Sequence, residues 1–391
     1  MAELTGTTAG AVTAFDPAAT LSVEMPRTLV LTGHFPPEPG GVQTFTWELA
    51  RRLPPERLVV VGPSYDGDRA FDRTLPFPVL RRRGYWLTRD LRRVVADTGC
   101  TAGWIPATAP FGLFAPRLRA AGVQHVVAST HGQELGWLKV APTREALRRV
   151  VRGVDVVTCL GSYTEGHLAR VVDRPGKLHH LAGGVDTSVF HPGADDAEVR
   201  SRLGLTDGPL VVSVSRLVRR KGHDVLLRAW PEVLRQYPGA QLVIVGIGPM
   251  REPLEQLARE LQVHDSVLLP GFLPLEDVSA LLAAADAFVM PSRDDRAGLQ
   301  TEGLGLAALE ASACGTPVVV GRSGGSVDAV QDGVTGLLVR AEDPAPVRDA
   351  LLTLLGDPVR ARRMGQAGAA WVRERWTWDR SARRLAELLA A

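Results

Sequence analysis

The sequence predicts an α/β protein made of two doubly wound parallel-sheet domains that face each other across a cleft. Short β-branched runs alternate with helical patterns throughout the chain. A turn-rich stretch near Gly183–Pro192, followed by acidic residues, separates two similar halves. The 391 residues suffice for two full cores. Ligands of such folds bind at the carboxyl ends of the strands, so we expect the ligand between the halves.

Each half supplies six strand candidates, and helical patterns lie between most of them. Those of the first half are Thr28–Gly33, Leu58–Pro63, Pro78–Arg82, Ala102–Ala107, His125–Thr130 and Val154–Leu160. Those of the second half are Leu210–Ser215, Gln241–Gly246, Ser266–Pro270, Ala287–Pro291, Pro317–Gly321 and Gly336–Val339. A last helix is expected from about Asp379 to Leu389, after a cluster of tryptophans.

Composition excludes several classes of protein. A net charge of +2 gives no case for a nucleic-acid partner. The three cysteines include no C-x-x-C pair, which indicates free thiols in a reducing compartment. The longest apolar stretch, Val278–Met290, is too short to span a bilayer and contains Asp286. We therefore expect a cytoplasmic protein, either free or peripheral on the inner face of the cell membrane.

The segment Glu302–Glu310 carries the strongest chemical pattern. Glu302 precedes a predicted helix and Glu310 lies about two turns into it, roughly 12 Å away along a helix axis. That spacing is similar to the distance from sugar to ribose in a sugar nucleotide. Between the two carboxylates, Gly303, Leu304 and Gly305 lead into a helix N-terminus whose unpaired N–H groups suit a pyrophosphate. Two surface carboxylates on an amphipathic helix are the alternative.

A basic loop in the second half is the matching feature. Val212–Ser215 reads as a strand that leads into Arg216 and Lys221, and a helix follows from His223. Only three of the 45 basic residues are lysines, and Lys221 is the one inside a motif. A solvated basic turn is the simpler interpretation. Paired with the Glu302–Glu310 segment, however, two fixed cations at a strand end would stabilise a leaving nucleoside diphosphate.

Two motifs of the first half are candidates for the opposite side of the cleft. Gly40 and Gly41 follow the first strand and permit a close backbone approach or a positive φ, although a plain turn explains them equally well. His131 ends the strand His125–Thr130 and would face the cleft. No metal site is predicted: His179–His180 has no third ligand at zinc spacing, and Asp66–Asp68 reads as a turn.

In this order and spacing, these motifs resemble those of the retaining glycosyltransferases of family 4, which have the two-domain B-type architecture of two Rossmann-like domains. Ala128–Trp137 and Gly298–Gly305 are most similar to the segments of actinobacterial mannosyltransferases that transfer mannose from GDP-mannose to phosphatidylinositol monomannoside. The resemblance covers residues 27 to the end. It departs at Val327–Asp328, where the family usually has Pro-Glu.

The resemblance implies a role for each motif. Arg216 and Lys221 would bind the donor diphosphate and Glu310 the ribose. Glu302 and His131 would hold hydroxyls of the donor sugar, with Gly40 and Gly41 near phosphate and acceptor. The list of expected functional residues is therefore His131, Arg216, Lys221 and Glu302 for catalysis, and Gly40, Gly41, Arg216, Lys221, Glu302, Gly303, Leu304, Gly305 and Glu310 for donor binding. The nucleotide sugar is a substrate, and no cofactor is expected.

We expect four segments along the chain. Residues 1–26 would form a disordered extension, 27–185 the acceptor-binding domain and 186–375 the nucleotide-sugar domain. Residues 376–391 would form a helix that returns to the first domain. The segment Arg81–Arg93 interleaves cations with Tyr85 and Trp86. It is either a solvated helix or a face that rests on anionic lipid.

Three functional alternatives stay open at this stage. A transferase with another nucleotide sugar and a soluble acceptor would share every motif above. A sugar-nucleotide 2-epimerase would bind a similar donor without transferring the sugar, and a pseudoenzyme would bind it without turnover. A nicotinamide-dependent dehydrogenase is disfavoured, because the glycine fingerprint is missing after the first strand.

Overall fold

The computed structural model describes residues 23–83, 88–132, 134–194, 196–295 and 301–391. They form two all-parallel sheets. The first sheet has seven strands in the order β3-β2-β1-β4-β5-β6-β7. They are β1 (Thr28–Leu31), β2 (Leu58–Pro63), β3 (Val79–Arg82), β4 (Ala102–Ile105), β5 (His125–Ser129), β6 (Val156–Cys159) and β7 (Leu178–His180).

The second sheet has six strands in the order β10-β9-β8-β11-β12-β13. They are β8 (Leu210–Val214), β9 (Gln241–Val245), β10 (Val267–Gly271), β11 (Ala287–Met290), β12 (Val318–Gly321) and β13 (Gly336–Val339). Strand order reverses beside β1 in one sheet and beside β8 in the other, and the loops after these strands are where doubly wound folds bind ligands.

Helices connect the strands of both sheets. Those of the first half are α1 (Gly41–Ala50), α2 (Asp68–Asp72), α3 (Leu91–Thr98), α4 (Thr108–Phe111), α5 (Ala115–Ala121), α6 (Glu134–Lys139), α7 (Ala141–Gly153) and α8 (Ser162–Leu168). Those that follow are α9 (Ala197–Leu203), α10 (His223–Gln236), α11 (Arg251–Glu260), α12 (Leu275–Ala284), α13 (Leu306–Ala313), α14 (Pro344–Gly356), α15 (Pro358–Arg375) and α16 (Trp378–Ala390).

This architecture confirms the predicted fold class. Every strand candidate is found within about two residues of its expected limits, because buried parallel strands read as short apolar runs. One strand was not predicted: β7 pairs with β6 at the sheet edge and contains His179 and His180. Its polar residues lack the apolar run by which the other strands were recognised. The predicted junction at 185/186 falls between β7 and β8, and it stays a prediction.

The last helix returns to the first lobe. The apolar face of α16, which includes Leu385 and Leu389, packs into the same core as Phe45 of α1 and Trp104 of β4. Burying each leucine stabilises this contact by about 1.5–3 kcal/mol. At the helix start, Arg52 Nε donates to Asp379 Oδ1 at 2.8 Å. The chain therefore crosses between the lobes near residue 376.

The N-terminal prediction needs one correction. Residues 1–22 of the expected extension lie outside the described residues, but 23–26 are described. Met25 is buried in the first core, and Glu24 pairs with Arg57 at 2.9 Å. The ordered first lobe therefore begins no later than residue 23, since the methionine packs against apolar neighbours rather than water.

Candidate functional site

The two lobes touch at a pair of glycines. A Cβ atom on Gly303 would lie 2.9 Å from the carbonyl oxygen of His131, and one on Gly132 would lie 3.2 Å from the Cα of Gly303. Real Cβ atoms essentially never lie within 3.0 Å of another heavy atom, so a side chain at Gly303 would push the lobes apart, and one at Gly132 would be tightly packed. The loop after β5 and the segment before α13 thus meet backbone to backbone, as the predicted cleft requires.

Lys221 and Glu302 form the centre of the site. Lys221 Nζ lies 2.7 Å from Glu302 Oε2, and both side chains are about nine-tenths buried. Burial by itself would raise the pKa of Glu302, but the adjacent Lys221 and Arg220 outweigh it and hold this pKa below its usual value. Glu302 is therefore ionised at neutral pH.

Arg220 is a site residue that the sequence analysis missed. Its Nη1 donates to Glu302 Oε2 at 2.8 Å, so two cations share one carboxylate and leave a net positive charge. Arg219–Lys221 form a single 3-10 turn, which points Arg220 and Lys221 towards the same carboxylate. The run of three basic residues was visible in the sequence, but which of them faces the cleft depends on this turn.

Arg216 has a different environment. It follows β8, is exposed, and its guanidinium has no ion pair within the described ranges. An unpaired cation at a strand end is available for an anionic ligand, whereas Lys221 and Arg220 already hold Glu302. Of the two cations predicted to act together, Arg216 therefore faces solvent and Lys221 is buried.

A buried histidine supports the basic loop, and the sequence analysis did not identify it. His223 starts α10 and lies 2.9 Å from Ser215 Oγ through Nε2. Burial and then the nearby Lys221 lower the pKa of His223 to about 4, so the ring is neutral and can share a hydrogen bond with the hydroxyl. The hydrogen bond of Ser215 with His223 fixes one end of the basic loop, and the ion pair of Lys221 with Glu302 fixes the other.

The segment before α13 departs from the predicted geometry. The helix begins at Leu306, so Glu310 is its fifth residue rather than two turns in, and 302–305 are not helical. Gly305 adopts a φ of 92° at the N-cap, a conformation that favours glycine. No side chain caps this terminus, which leaves the N–H groups of Leu306 and Ala307 available to a ligand. Leu304 is buried in the core, so only its backbone can contact a ligand.

The loop that contains Gly324 and Gly325 contacts the backbone of Glu302 and holds this residue in position. Gly325 N donates to the carbonyl of Glu302 at 2.8 Å, and Glu302 N lies 3.4 Å from Ser323 Oγ. The N–H of Gly325 is thus occupied within the protein. The loop orders the carboxylate that faces Lys221.

Glu310 is half-buried, and its carboxyl group forms no hydrogen bond or ion pair with the described residues. Burial raises its pKa to about 7. A carboxylate without a partner in an apolar setting is costly, so a ligand that donates two hydrogen bonds would be favoured there. This environment agrees with the predicted ribose contact, which stays a prediction.

His131 lies two residues beyond the end of β5, close to its predicted place, and its backbone lies at the interlobe contact. Its Nε2 lies 2.5 Å from the carbonyl of Pro106, so Nε2 carries the proton and Nδ1 can accept a hydrogen bond. The ring also contacts Phe45 edge-on at 4.7 Å. Burial lowers the pKa of His131 to about 4 despite the Pro106 carbonyl, so the ring is neutral. It can therefore accept from a sugar hydroxyl without adding charge.

Gly40 ends the loop after β1, and Gly41 is the first residue of α1. Gly40 is extended, and neither glycine uses the left-handed φ that the residue type permits. Nothing lies within 4 Å of the position that a Cβ on Gly41 would take. The α1 N-terminus has no side-chain cap and is open to a ligand.

Asp328 replaces the family's usual glutamate and joins the two lobes. Its Oδ2 accepts from the backbone N of Tyr163 at 3.1 Å at the start of α8. A Cβ on Gly161 would lie 2.5 Å from the same oxygen, so this contact requires the glycine. The shorter carboxylate thus contacts the first lobe.

Only some of the cations in the segment Arg81–Arg93, for which a lipid-facing surface was one interpretation, lie on the protein surface. Arg81 is mostly buried on β3 and pairs with Asp72 at 2.6 Å, so it supports the first lobe rather than a surface. Arg93 is exposed and lies 3.4 Å from Asp97 on α3. Tyr85 and Trp86 lie outside the described residues. The cations of this segment that are exposed among its described residues are Arg83, Arg89, Arg92 and Arg93.

The described residues contain neither a candidate membrane-spanning helix nor a candidate metal-binding cluster. None of the helices there is long and apolar enough to cross a membrane. No group of three or more acidic, histidine or cysteine side chains is arranged to hold a metal ion in the same ranges.

Two family models match the chain. Residues 39–189 match the model of glycosyltransferase family 4, and residues 195–371 match that of the glycosyl transferases group 1. The division between the two matches lies close to the predicted junction of the lobes.

Curated relatives match almost the whole chain. The GDP-mannose-dependent alpha-(1-6)-phosphatidylinositol monomannoside mannosyltransferase of Mycolicibacterium smegmatis is 41% identical over 93% of this chain and 98% of its own. The corresponding enzyme of Corynebacterium glutamicum, described as acting on the monoacylated acceptor, is 37% identical over 93% of this chain and 97% of its own.

A solved structure supports the fold. Anabaena HepE, crystallised with UDP and glucose, superposes with a TM-score of 0.79 and covers 94% of this chain and 100% of its own. At 19% sequence identity, this likeness concerns the arrangement of the two lobes alone.

Proposed function

Because this chain belongs to glycosyltransferase family 4, we propose that it transfers mannose from GDP-mannose to a phosphatidylinositol monomannoside, with retention of configuration and without a metal ion. The observation that carries this proposal is the similarity, over more than nine-tenths of both chains, to the M. smegmatis mannosyltransferase. The expected fold and the expected enzyme class are thereby confirmed.

The donor binds mainly to the second lobe. Arg216 and Lys221 contact the diphosphate, and the open N-terminus of α13 adds backbone N–H groups. Glu310 accepts from the ribose hydroxyls, and Glu302 and His131 hold hydroxyls of the mannose. The two cations on Glu302 exceed its single negative charge, which supports an anionic ligand beside them.

Transfer proceeds by front-face displacement. The acceptor hydroxyl attacks the anomeric carbon on the side from which the diphosphate leaves. The C–O bond to the diphosphate breaks with its electron pair on the leaving oxygen, which takes the proton of the acceptor hydroxyl. The protein contributes positioning and stabilises the charge that develops on the diphosphate through Arg216, Lys221 and the α13 N-terminus.

The acceptor binds to the first lobe at an anionic membrane surface. The exposed cations Arg92 and Arg93, together with Arg117 beside them, support this attachment and would each add about 1 kcal/mol near anionic lipid. Arg81 is excluded from it by its pairing with Asp72. Sedimentation with anionic and with neutral vesicles tests the attachment, and equal recovery in the two supernatants would contradict it.

Product analysis tests the function itself. The purified chain is incubated with GDP-mannose or UDP-glucose and with phosphatidylinositol monomannoside or a soluble inositol acceptor. We expect a dimannoside only with GDP-mannose, and we expect the phosphatidylinositol acceptor to be preferred over the soluble one. Epimerised donor without transfer would support the 2-epimerase, and transfer to soluble acceptors alone would support the other alternative. A thermal-shift comparison of GDP- and UDP-linked sugars identifies the donor independently.

A further inference from the structure

A second cationic surface lies beside the interlobe contact, on helices that the proposed donor site does not use. α6, α7 and α8 border a cavity of about 380 Å³. Its basic lining side chains are Lys139, Arg144, Arg148, Arg170 and His167. The volume is sufficient for a sugar phosphate, since ligand clefts of proteins begin at about 300 Å³.

Most of this charge is not neutralised by the protein. The guanidinium groups of Arg144 and Arg170 are exposed and have no hydrogen bond or ion pair in the part of the chain that is described. Arg148 reaches Glu145 only at 3.8 Å, with both side chains more than two-fifths exposed. An exposed pair at that distance contributes little. The cavity therefore keeps a positive potential that favours an anionic ligand.

The opposite wall of the cavity belongs to the second lobe and adjoins the reaction centre. Asp294 and Thr301 line it, and Thr301 directly precedes Glu302. Among the described residues that line the cavity, Asp294 is the one carboxylate, and it accepts from Ser323 Oγ at 2.7 Å. An anion on the arginines would thus lie next to the place where acceptor and donor sugar meet.

Tyr163 adds a neutral donor to this surface. Its backbone N is fixed by Asp328, and its side chain lines the cavity. Burial, with a smaller effect of Asp294, raises the pKa of Tyr163, so the hydroxyl keeps its proton at physiological pH. A phenol and several guanidinium groups around one cavity are a donor set that suits phosphate oxygens.

We propose that this cavity binds the phosphate group of the acceptor headgroup, with Arg144 and Arg170 as its principal ligands. The inference rests on the proposed function, because it assumes an acceptor in which a phosphate ester is attached to inositol. It assigns this phosphate to helices of the first lobe, separate from the cations that hold the donor diphosphate. The protein would thereby select phosphate-bearing acceptors over neutral glycans of the same shape.

The test uses two soluble acceptors in order to separate headgroup recognition from membrane attachment. One is the deacylated headgroup, glycerophosphoinositol monomannoside, and the other is inositol monomannoside without phosphate. Transfer from GDP-mannose is measured for the wild type, for Arg144→Ala/Arg170→Ala, and for Arg149→Ala. Arg149 is the matched control, because it lies on α7 with 71% of its side chain exposed and does not line the cavity.

We expect the double variant to lose about tenfold to a hundredfold in kcat/KM for the phosphate-bearing acceptor, since two charge-assisted hydrogen bonds are removed. Its kcat/KM for the phosphate-free acceptor and its affinity for GDP should equal those of the wild type. Arg149→Ala should match the wild type in all three measurements. The melting temperatures of the variants show that they are folded.

Three results would overturn the inference. An unchanged preference for the phosphate-bearing acceptor in the double variant would show that the cavity does not bind this group. An equal loss of GDP affinity would assign the cavity to the donor instead. No transfer by the wild type to either soluble acceptor or to the lipid acceptor would overturn the proposed function and this inference with it, whereas transfer with an unchanged preference would overturn the inference alone.

Discussion

The Nζ of Lys221 lies 2.7 Å from the Oε2 of Glu302. The two residues follow strands on either side of the point where the strand order of the second sheet reverses. Lys221 follows β8, and Glu302 follows the adjacent β11. With Arg220 on the same oxygen, the carboxylate holds both cations in place before a donor binds. The site is thereby preorganised for a diphosphate at the carboxyl end of the sheet.

Replacing Lys221 by alanine should lower kcat by about 10²–10³, equivalent to about 3–4 kcal/mol, because a fixed cation at the developing charge is lost. Steady-state kinetics with GDP-mannose measures this effect. Arg219→Ala is the control: Arg219 belongs to the same turn but is exposed and outside the Glu302 cluster. A Lys221→Ala variant that kept half its activity would remove Lys221 from the mechanism.

Glu302→Gln should reduce stability in a pH-dependent way. The folded-state pKa of Glu302 is held below its usual value by Lys221 and Arg220 against the effect of burial. Its ion pairs therefore stabilise the protein above the unfolded pKa of about 4.3, and this contribution is lost as the pH falls through the folded pKa. Denaturant unfolding of both proteins from pH 7 to acid should show a difference that shrinks with acidity. A difference independent of pH would contradict the ionised state.

Glu310 should make donor affinity depend on pH near neutrality. Burial raises its pKa to about 7, so below that pH the carboxyl is increasingly protonated and one acceptor for the ribose hydroxyls is weakened. The dissociation constant of GDP-mannose should rise by up to about tenfold per pH unit below 7. Calorimetry from pH 6 to 8 measures it, and Glu310→Gln should bind more weakly with a flat profile. An equally sloped profile in that variant would exclude Glu310 as the titrating group.

Gly303→Ala should separate catalysis from donor binding. Its Cβ would lie 2.9 Å from the carbonyl oxygen of His131, so the lobes would have to move apart. We expect kcat to fall by about tenfold or more while GDP affinity changes little, since misplacement by about 1 Å can cost a hundredfold in rate. Gly166→Ala on α8, where nothing lies within 4 Å of the added atom, is the control. Equal activity of the two variants would show that this contact is not needed for transfer.

His131 should not titrate in the physiological range. Burial lowers its pKa to about 4, so kcat/KM should show no loss attributable to His131 between pH 5 and 7. His131→Ala should lower kcat/KM at every pH in that range without changing the shape of the profile. A wild-type acidic limb near pH 6.5 that disappears in the variant would contradict the neutral, hydrogen-bonded ring.

Local sequence patterns predicted most of the fold and the approximate position of the site. Buried parallel strands are short apolar runs bounded by turn residues, so twelve of the thirteen strands in the described residues could be recognised. His131 follows β5, the loop with Lys221 follows β8, and Glu302 precedes α13, as expected. The helix limit at Leu306 was less accessible, because Glu302–Gly305 and the residues after them share the same small and apolar character. The start of α13 depends on the geometry of its N-cap, which the positive φ of Gly305 sets.

The sequence by itself determined the fold class, the family and the residue types at each strand end, since these depend on patterns within a few residues of one another. Only the tertiary structure decided which cation meets which carboxylate. Arg220 reaches Glu302 across 82 residues, Arg216 stays exposed, and Gly325 donates to Glu302 rather than to a ligand. Such pairings depend on the relative positions of neighbouring strands and on the burial that strengthens electrostatic contacts, which no local spacing contains.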